Sequence, residues 1–213
     1  MSPRSRTIPD ADVLAAARRI IAQLGAARLT LAAVAREAGL APATLIQRFG
    51  SKRGLLLALV EMGVDEVEAG CRAARSAHRS PLAALVDATT DVTRRVTSPE
   101  ELANRLAFLQ MELTDPDFRR LAVEHARRAE AGYRALLDDA VAAGELLPCD
   151  TVQLSRSVAA LSGGSLIAWA VRRKGSARQW VKDDLMTLLA PYRAGLAKGR
   201  PHTKSRRKPQ RRR

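Results

Sequence analysis

Apolar side chains recur along this chain at steps of three and four, the spacing of one helix face, and Gly and Pro cut the pattern into segments. Val13, Ala17, Ile20 and Leu24 form the first stripe, opened by Pro9-Asp10 and stopped by Gly25. Thr30 caps a short second segment with Leu31, Val34, Ala35 and Ala38 on one face, ended by Gly39. Pro42 stands at the favoured first position of a third, brief helix that ends near Phe49-Gly50. Ser51 caps a fourth, running through Leu55, Leu59, Met62 and Glu66 to about Arg75. Longer helices are predicted at about 80–97, 99–113 and 116–143, each opened by Ser-Pro or Asp-Pro, and at about 150–173 and 177–196. Nowhere is apolar-polar alternation sustained long enough for a strand. The pattern predicts an all-α protein, with a small N-terminal three-helix unit and a larger helical body.

Within the small unit, Ala35, Gly39 and Leu45 fall at the spacing that a helix-turn-helix imposes. Alanine is needed where two helices nearly touch, and glycine where the turn demands a left-handed backbone. Leu45 and Phe49, four apart, pin the second helix of the motif to the core. Pro42, Ala43, Thr44, Gln47 and Arg48 then face outward, where a recognition helix meets a major groove. Lys52 and Arg53 open the fourth helix, where the macrodipole disfavours cations by roughly 0.3–1 kcal/mol each. A docked phosphate reverses that sign, so the pair is expected on the nucleic-acid backbone; the alternative is two solvated surface charges.

Charge sharpens this division. The 213-residue chain carries a formal net charge of +14. Residues 1–60 hold 9 basic and 3 acidic side chains, residues 61–197 hold 18 and 19, and residues 198–213 hold 9 and none. A basic head and tail around a neutral body point to a polyanionic partner. The tail has no apolar residue to bury and is expected to be disordered, serving as a solubility tail or an auxiliary arm on DNA. No continuous run of about 18 apolar residues and no apolar signal core occur, so a cytoplasmic chain without membrane attachment is expected. Cys71 and Cys149 lack CxxC spacing and read as small hydrophobes more readily than as a thiol sensor, while His78, His125 and His202 are too scattered for a metal cage. No metal and no cofactor are expected.

The segment LTLAAVAREAGLAPATLIQRFGSKRGLLLAL resembles the DNA-binding region of the TetR family of bacterial transcription regulators. The resemblance rests on Thr30 as cap of the second helix, the Ala38-Gly39-Leu40 turn, Thr44-Leu45 and Phe49 in the recognition helix, and Ser51-Lys52. It spans about 7–67, with the motif at 30–49, and is carried further only by the helical layout and Gly144-Glu145-Leu146. The DNA-binding set it implies, with the outward residues above, is Thr30, Pro42, Ala43, Thr44, Gln47, Arg48 and Lys52. Two positions depart from the family pattern. Ile46 replaces a tyrosine and offers an apolar contact in place of a hydrogen bond, and Ala41 replaces a serine cap.

The resemblance further implies a homodimer built on the last two helices and a small-molecule effector pocket in the body, residues 68–197. Gly163-Gly164 suits a tight helix crossing at such a seam, since glycine inside a helix costs about 1 kcal/mol unless close approach repays it. Leu106, Leu109, Gln110, His125 and Trp169 are the pocket candidates. Ser162-Gly163-Gly164-Ser165 lacks the order and preceding strand of a nucleophile elbow, and no nucleophile–base pair suggests an enzyme. The leading expectation is a ligand-responsive repressor, homodimeric on a palindromic double-stranded DNA operator. The alternative is an architectural protein that coats nucleic acid without sequence preference.

Overall fold

The computed structural model describes residues 8–194; the basic tail, 198–213, lies outside the described residues. In chain order the helices are α1 Asp10–Leu24, α2 Leu31–Ala38, α3 Pro42–Phe49, α4 Lys52–Ala77, α5 Pro81–Thr90, α6 Pro99–Thr114, α7 Pro116–Ala142, α8 Thr151–Arg172 and α9 Ala177–Leu189. Among the described residues the extended structure amounts to an isolated bridge between Leu146 and Arg193. The fold is all-α, and most helices begin where a short polar side chain accepts a free amide. Thr30, Ser51, Ser80, Ser98, Asp115, Asp150 and Ser176 each cap the helix that follows.

Two predicted helices end early. The segment expected at 80–97 is α5 followed by a tighter 3₁₀ turn at Asp91–Arg95. Thr90 Oγ1 bonds back to the Val86 carbonyl at 2.8 Å and Thr93 Oγ1 to that of Thr90 at 2.6 Å, hydroxyl contacts that compete with regular helix. The last helix stops at Leu189 rather than continuing to 196, and Pro191 sits in the closing 3₁₀ turn Ala190–Tyr192, where it has no amide to extend the ladder.

Three apolar clusters organise the chain. The head core gathers Val13, Ala17 and Ile20 of α1, Val34 and Ala35 of α2, Leu45 of α3 and Leu55, Leu56 and Leu59 of α4. Leu24, expected on the same stripe, is 44% exposed at the end of α1. The body core is built from α4, α5, α7, α8 and α9 around Leu85, Tyr133, Leu136, Leu137, Val158 and Leu185. A third cluster joins Val96, Leu102, Leu166, Trp169 and Val181. Head and body are not separated by a linker. The division expected at residue 67 falls inside continuous α4, and Phe118 of α7, fully buried, completes the head core.

Helix α8 needs separate mention, because its length and composition would suffice to cross a bilayer. It is packed instead between α7 and α9, burying Leu154, Val158, Leu166 and Trp169. Its outward face carries Arg156, Ala160, Gly164, Ile167 and Val171.

Candidate nucleic-acid interface and interior cavity

The helix-turn-helix forms because small residues stand where it is tight. Ala35 is fully buried between α2 and its neighbours, and Gly39 closes α2 at φ +68°, a left-handed value that favours glycine. Leu45 inserts into the core with no exposed surface, and Phe49 packs partly buried beside it. A glycine that periodicity did not single out is equally constrained: a Cβ on Gly54 would collide with the Phe49 carbonyl. That close approach fixes the angle at which α3 hands over to α4.

The exposed side of α3 presents Pro42, Ala43, Ile46 and Gln47, with Thr44 half-buried. Thr30 is exposed, and its hydroxyl accepts the Ala33 amide at 3.1 Å. Lys52 lies beside this surface and donates to the Ala27 carbonyl at 2.8 Å. Two basic residues are placed otherwise than expected. Arg48 turns away from the groove side: Nη1 donates to the Ile8 carbonyl at 2.6 Å and to Asp10 Oδ1 at 3.1 Å, because the start of α1 offers acceptors within reach. Arg53 is engaged within the protein. It pairs with Asp115 at 2.9 Å and Asp117 at 2.8 Å, and its guanidinium lies 5.6 Å from the Phe118 ring centre. Its hydrogen bonds to Asp117 and Asp115 raise its pKa above the ordinary arginine value.

Ala41 leaves α3 without a side-chain cap. Serine at this position is expected to accept a free amide and stabilise α3 by about 1 kcal/mol. In thermal unfolding of Ala41→Ser this reads as a rise of about 2–4 °C in a chain of this size. No rise would mean that the exposed amides are already satisfied by water.

Between head and body lies a cavity of about 550 Å³, walled by α1, α4, the Asp91–Arg95 turn, α6, α7 and α8. Of the five pocket candidates, His125 lies on its wall. Surrounding protein lowers its pKa even though its side of α7 is accessible. Leu106 and Leu109 project from the other side of α6, 38% and 42% exposed, and Gln110 is exposed too. Trp169 is held in the third cluster, its Nε1 donating to the Gly175 carbonyl at 3.1 Å. The face of α6 that reaches the cavity is Arg105, Phe108 and Glu112. These share one helix face at steps of three and four, so the signal was charged residues in phase with an aromatic.

Part of the cavity wall is polar. Glu66 accepts from Arg18 at 3.1 and 3.0 Å and from Arg95 at 2.6 Å. Burial pushes the Glu66 carboxyl up, but these hydrogen bonds outweigh it and hold it below the usual glutamate value. Arg105 donates through Nη2 to the Arg95 carbonyl at 2.8 Å, while its buried Nε has no partner. Elsewhere in the lining Cys71 and Tyr133 are buried. Burial raises the Cys71 pKa to about 11, so the thiol stays protonated and unreactive at neutral pH. Cys149 is half-buried against the body core.

Head and body also meet outside the cavity. Asn104 Nδ2 of α6 donates to the Ala22 carbonyl at 2.8 Å, and the Arg53 pairs clasp the start of α7. The cavity, the clasp and Phe118 therefore tie one reading surface to one interior space.

A family model described as bacterial regulatory proteins, tetR family, matches residues 13–59. The HTH-type transcriptional regulator BetI of Rhizobium meliloti is 33% identical over 153 residues, covering 67% of this chain and 75% of that protein. Among solved structures, a TetR transcription regulator from Haloarcula marismortui superposes with a TM-score of 0.71 at 15% identity, covering 86% of this chain and 97% of that one. The transcriptional regulator FadR from Bacillus subtilis, in complex with stearoyl-CoA, superposes with a TM-score of 0.61 at 15% identity, covering 85% and 98%.

Proposed function

This chain belongs to the TetR family of DNA-binding transcription regulators, and we propose that it is a ligand-responsive repressor, acting in the cytoplasm as a homodimer on a palindromic operator. The observation that carries this reading is the exposed face of α3, with Pro42, Ala43 and Gln47 unencumbered while Leu45 anchors the helix from behind. A recognition helix held this way enters a major groove, and two related by a two-fold axis read half-sites one helical turn or a multiple apart. The cavity supplies the response. Its wall includes Arg18, Ile21 and Ala22 of α1, so an occupant touches the reading head directly. A ligand and an operator that favour different settings of that head weaken each other by linkage. The stearoyl-CoA held by the FadR neighbour supports a small-molecule occupant in this fold.

Selection of bound sequences from random DNA, with the full chain, tests the reading. An inverted repeat retained against a large excess of random DNA is the expected result. Binding without a preferred site would make the protein an architectural coat.

Within that framework Gln47 and Lys52 separate base reading from backbone holding. Gln47→Ala is expected to relax preference at one base position in each half-site, costing about 1–3 kcal/mol at the preferred base. Lys52→Ala is expected to weaken all sequences alike and to reduce the salt slope by about 1, the signature of one lost phosphate contact. Gel shifts across a salt series distinguish them. A changed preferred sequence for Lys52→Ala, with its salt dependence intact, would reverse the assignment.

A further inference from the structure

We propose that the cavity between head and body takes an elongated apolar molecule with a single anionic head, and that Arg105 receives that head. The proposal rests on the cavity being the effector site and goes on to name the chemistry it selects.

The polar part of the wall is cation-rich in a specific way. Arg18 and Arg95 share Glu66, whereas Arg105 makes no ion pair among the described residues. Its one hydrogen bond runs from Nη2 to a backbone carbonyl, its buried Nε has no acceptor, and the residue lines the cavity. Burial and the neighbouring Arg18 and Arg95 charges lower its pKa, so the folded chain holds this guanidinium at a cost. A partly buried cation without an ion pair is stabilised when an anion arrives, and the fork of a guanidinium is shaped for two oxygens of one carboxylate or phosphate.

The rest of the space suits a tail. The α4 wall runs from Leu59 through Val60, Gly63 and Val67 to Cys71, about 18 Å of helix at 1.5 Å per residue, with Glu66 the charged residue along it. Ala126, Ala129 and Tyr133 of α7 line the side facing α4. Glu112 lies seven residues beyond Arg105 on α6, and burial raises its pKa above the ordinary glutamate value. Glu66 is already held by two arginines, whereas the Glu112 carboxylate on the same wall makes no ion pair among the described residues, which is why a cationic compound belongs in the test.

The position of the head also explains the output. Arg18 belongs to α1 and Arg95 to the turn after α5, so an anion drawn to Arg105 competes with Glu66 for both. That loosens the link between α1 and α4 from inside the cavity, where a bound molecule reaches the reading head without touching DNA.

Calorimetry and thermal unfolding of the full chain with decanoate, decyl phosphate, 1-decanol and decyltrimethylammonium test the assignment. Decanoate and decyl phosphate are expected to bind at least tenfold tighter than 1-decanol, with decyltrimethylammonium weakest; whichever anion is tighter identifies the head. Arg105→Gln should bring both anions down to the affinity of 1-decanol, and Arg105→Lys should recover only part, since it restores charge without the fork. Unliganded Arg105→Gln should melt no lower than wild type, because it removes an unpaired cation. A several-degree drop with anion binding intact would make Arg105 structural and overturn the proposal. Equal or tighter binding of 1-decanol or decyltrimethylammonium would overturn the head assignment while leaving an effector cavity. Failure of all four compounds to bind would overturn the anion proposal and the cavity reading together, with DNA selectivity unaffected.

Discussion

Phe118→Ala is expected to destabilise the protein by about 3–5 kcal/mol, the range for deleting a fully buried aromatic side chain. The ring has no exposed surface, sits in the head core with Val13, Leu45 and Leu55, and meets Phe108 edge to face at 5.7 Å. It enters from α7, whose cap Asp115 is gripped by Arg53 of α4. Removing it opens a void where a body helix closes the core of the reading head, beside Phe108 and Met111 of α6. Thermal unfolding should show a fall on the order of 10 °C, and head and body should cease to melt as one transition. Phe118→Leu, which keeps most of the volume, should recover much of the loss. Below the melting range, Phe118→Ala should still select the operator yet respond weakly to effector, because α7 no longer moves with the head. A loss under about 1 kcal/mol would show that the head core closes without this ring.

Gly164→Leu carries the second large effect. The expected result is a shift from dimer to monomer in sedimentation and the loss of most operator affinity as the second half-site is lost. Nothing lies within 4 Å of a Cβ placed on Gly163 or Gly164, so the isolated fold does not require glycine at either position. Each glycine nevertheless costs about 1 kcal/mol in a helix interior, and leucine there should favour α8 itself. A second protomer crossing closely at this point would repay that cost. Leucine is then harmless to the monomer and obstructive to the dimer, where overpacking costs about 1–3 kcal/mol on each side of the two-fold. The diagnostic combination is an undiminished helical signal with a monomeric species. A fully dimeric Gly164→Leu with normal operator affinity would place the seam on another face.

How far the sequence could be read depended on the range of the interaction. Capping is local: Thr30, Ser51, Ser80, Ser98 and Asp115 each bond an amide two or three residues on, so the helix starts could be read from neighbours alone. The turn at Gly39 and the anchor Leu45 were legible for the same reason. Helix ends were less so. The stop at Thr90 depends on hydroxyls bonding back to carbonyls and on the burial of Thr89 and Thr90, and burial is set by the elements packed around them.

Side-chain destinations across long separations were the part the chain order concealed. Arg48 and Arg53 look alike as exposed cations near a recognition helix, yet one closes on Ile8 and Asp10 and the other on Asp115 and Asp117. The cavity wall was hidden in the same way. Leu106, Leu109 and Gln110 are neighbours of Arg105, Phe108 and Glu112 in sequence, but the rotation of α6 against α4 and α7 decided which set faces inward. By itself the sequence determined the all-α architecture, the helix-turn-helix and the outward residues Pro42, Ala43 and Gln47, because periodicity, capping and turn geometry act within a few residues. Only the tertiary structure decided that Phe118 belongs to the head core and that Arg105 stands unpaired in the cavity, because burial and charge pairing depend on neighbours brought together by packing.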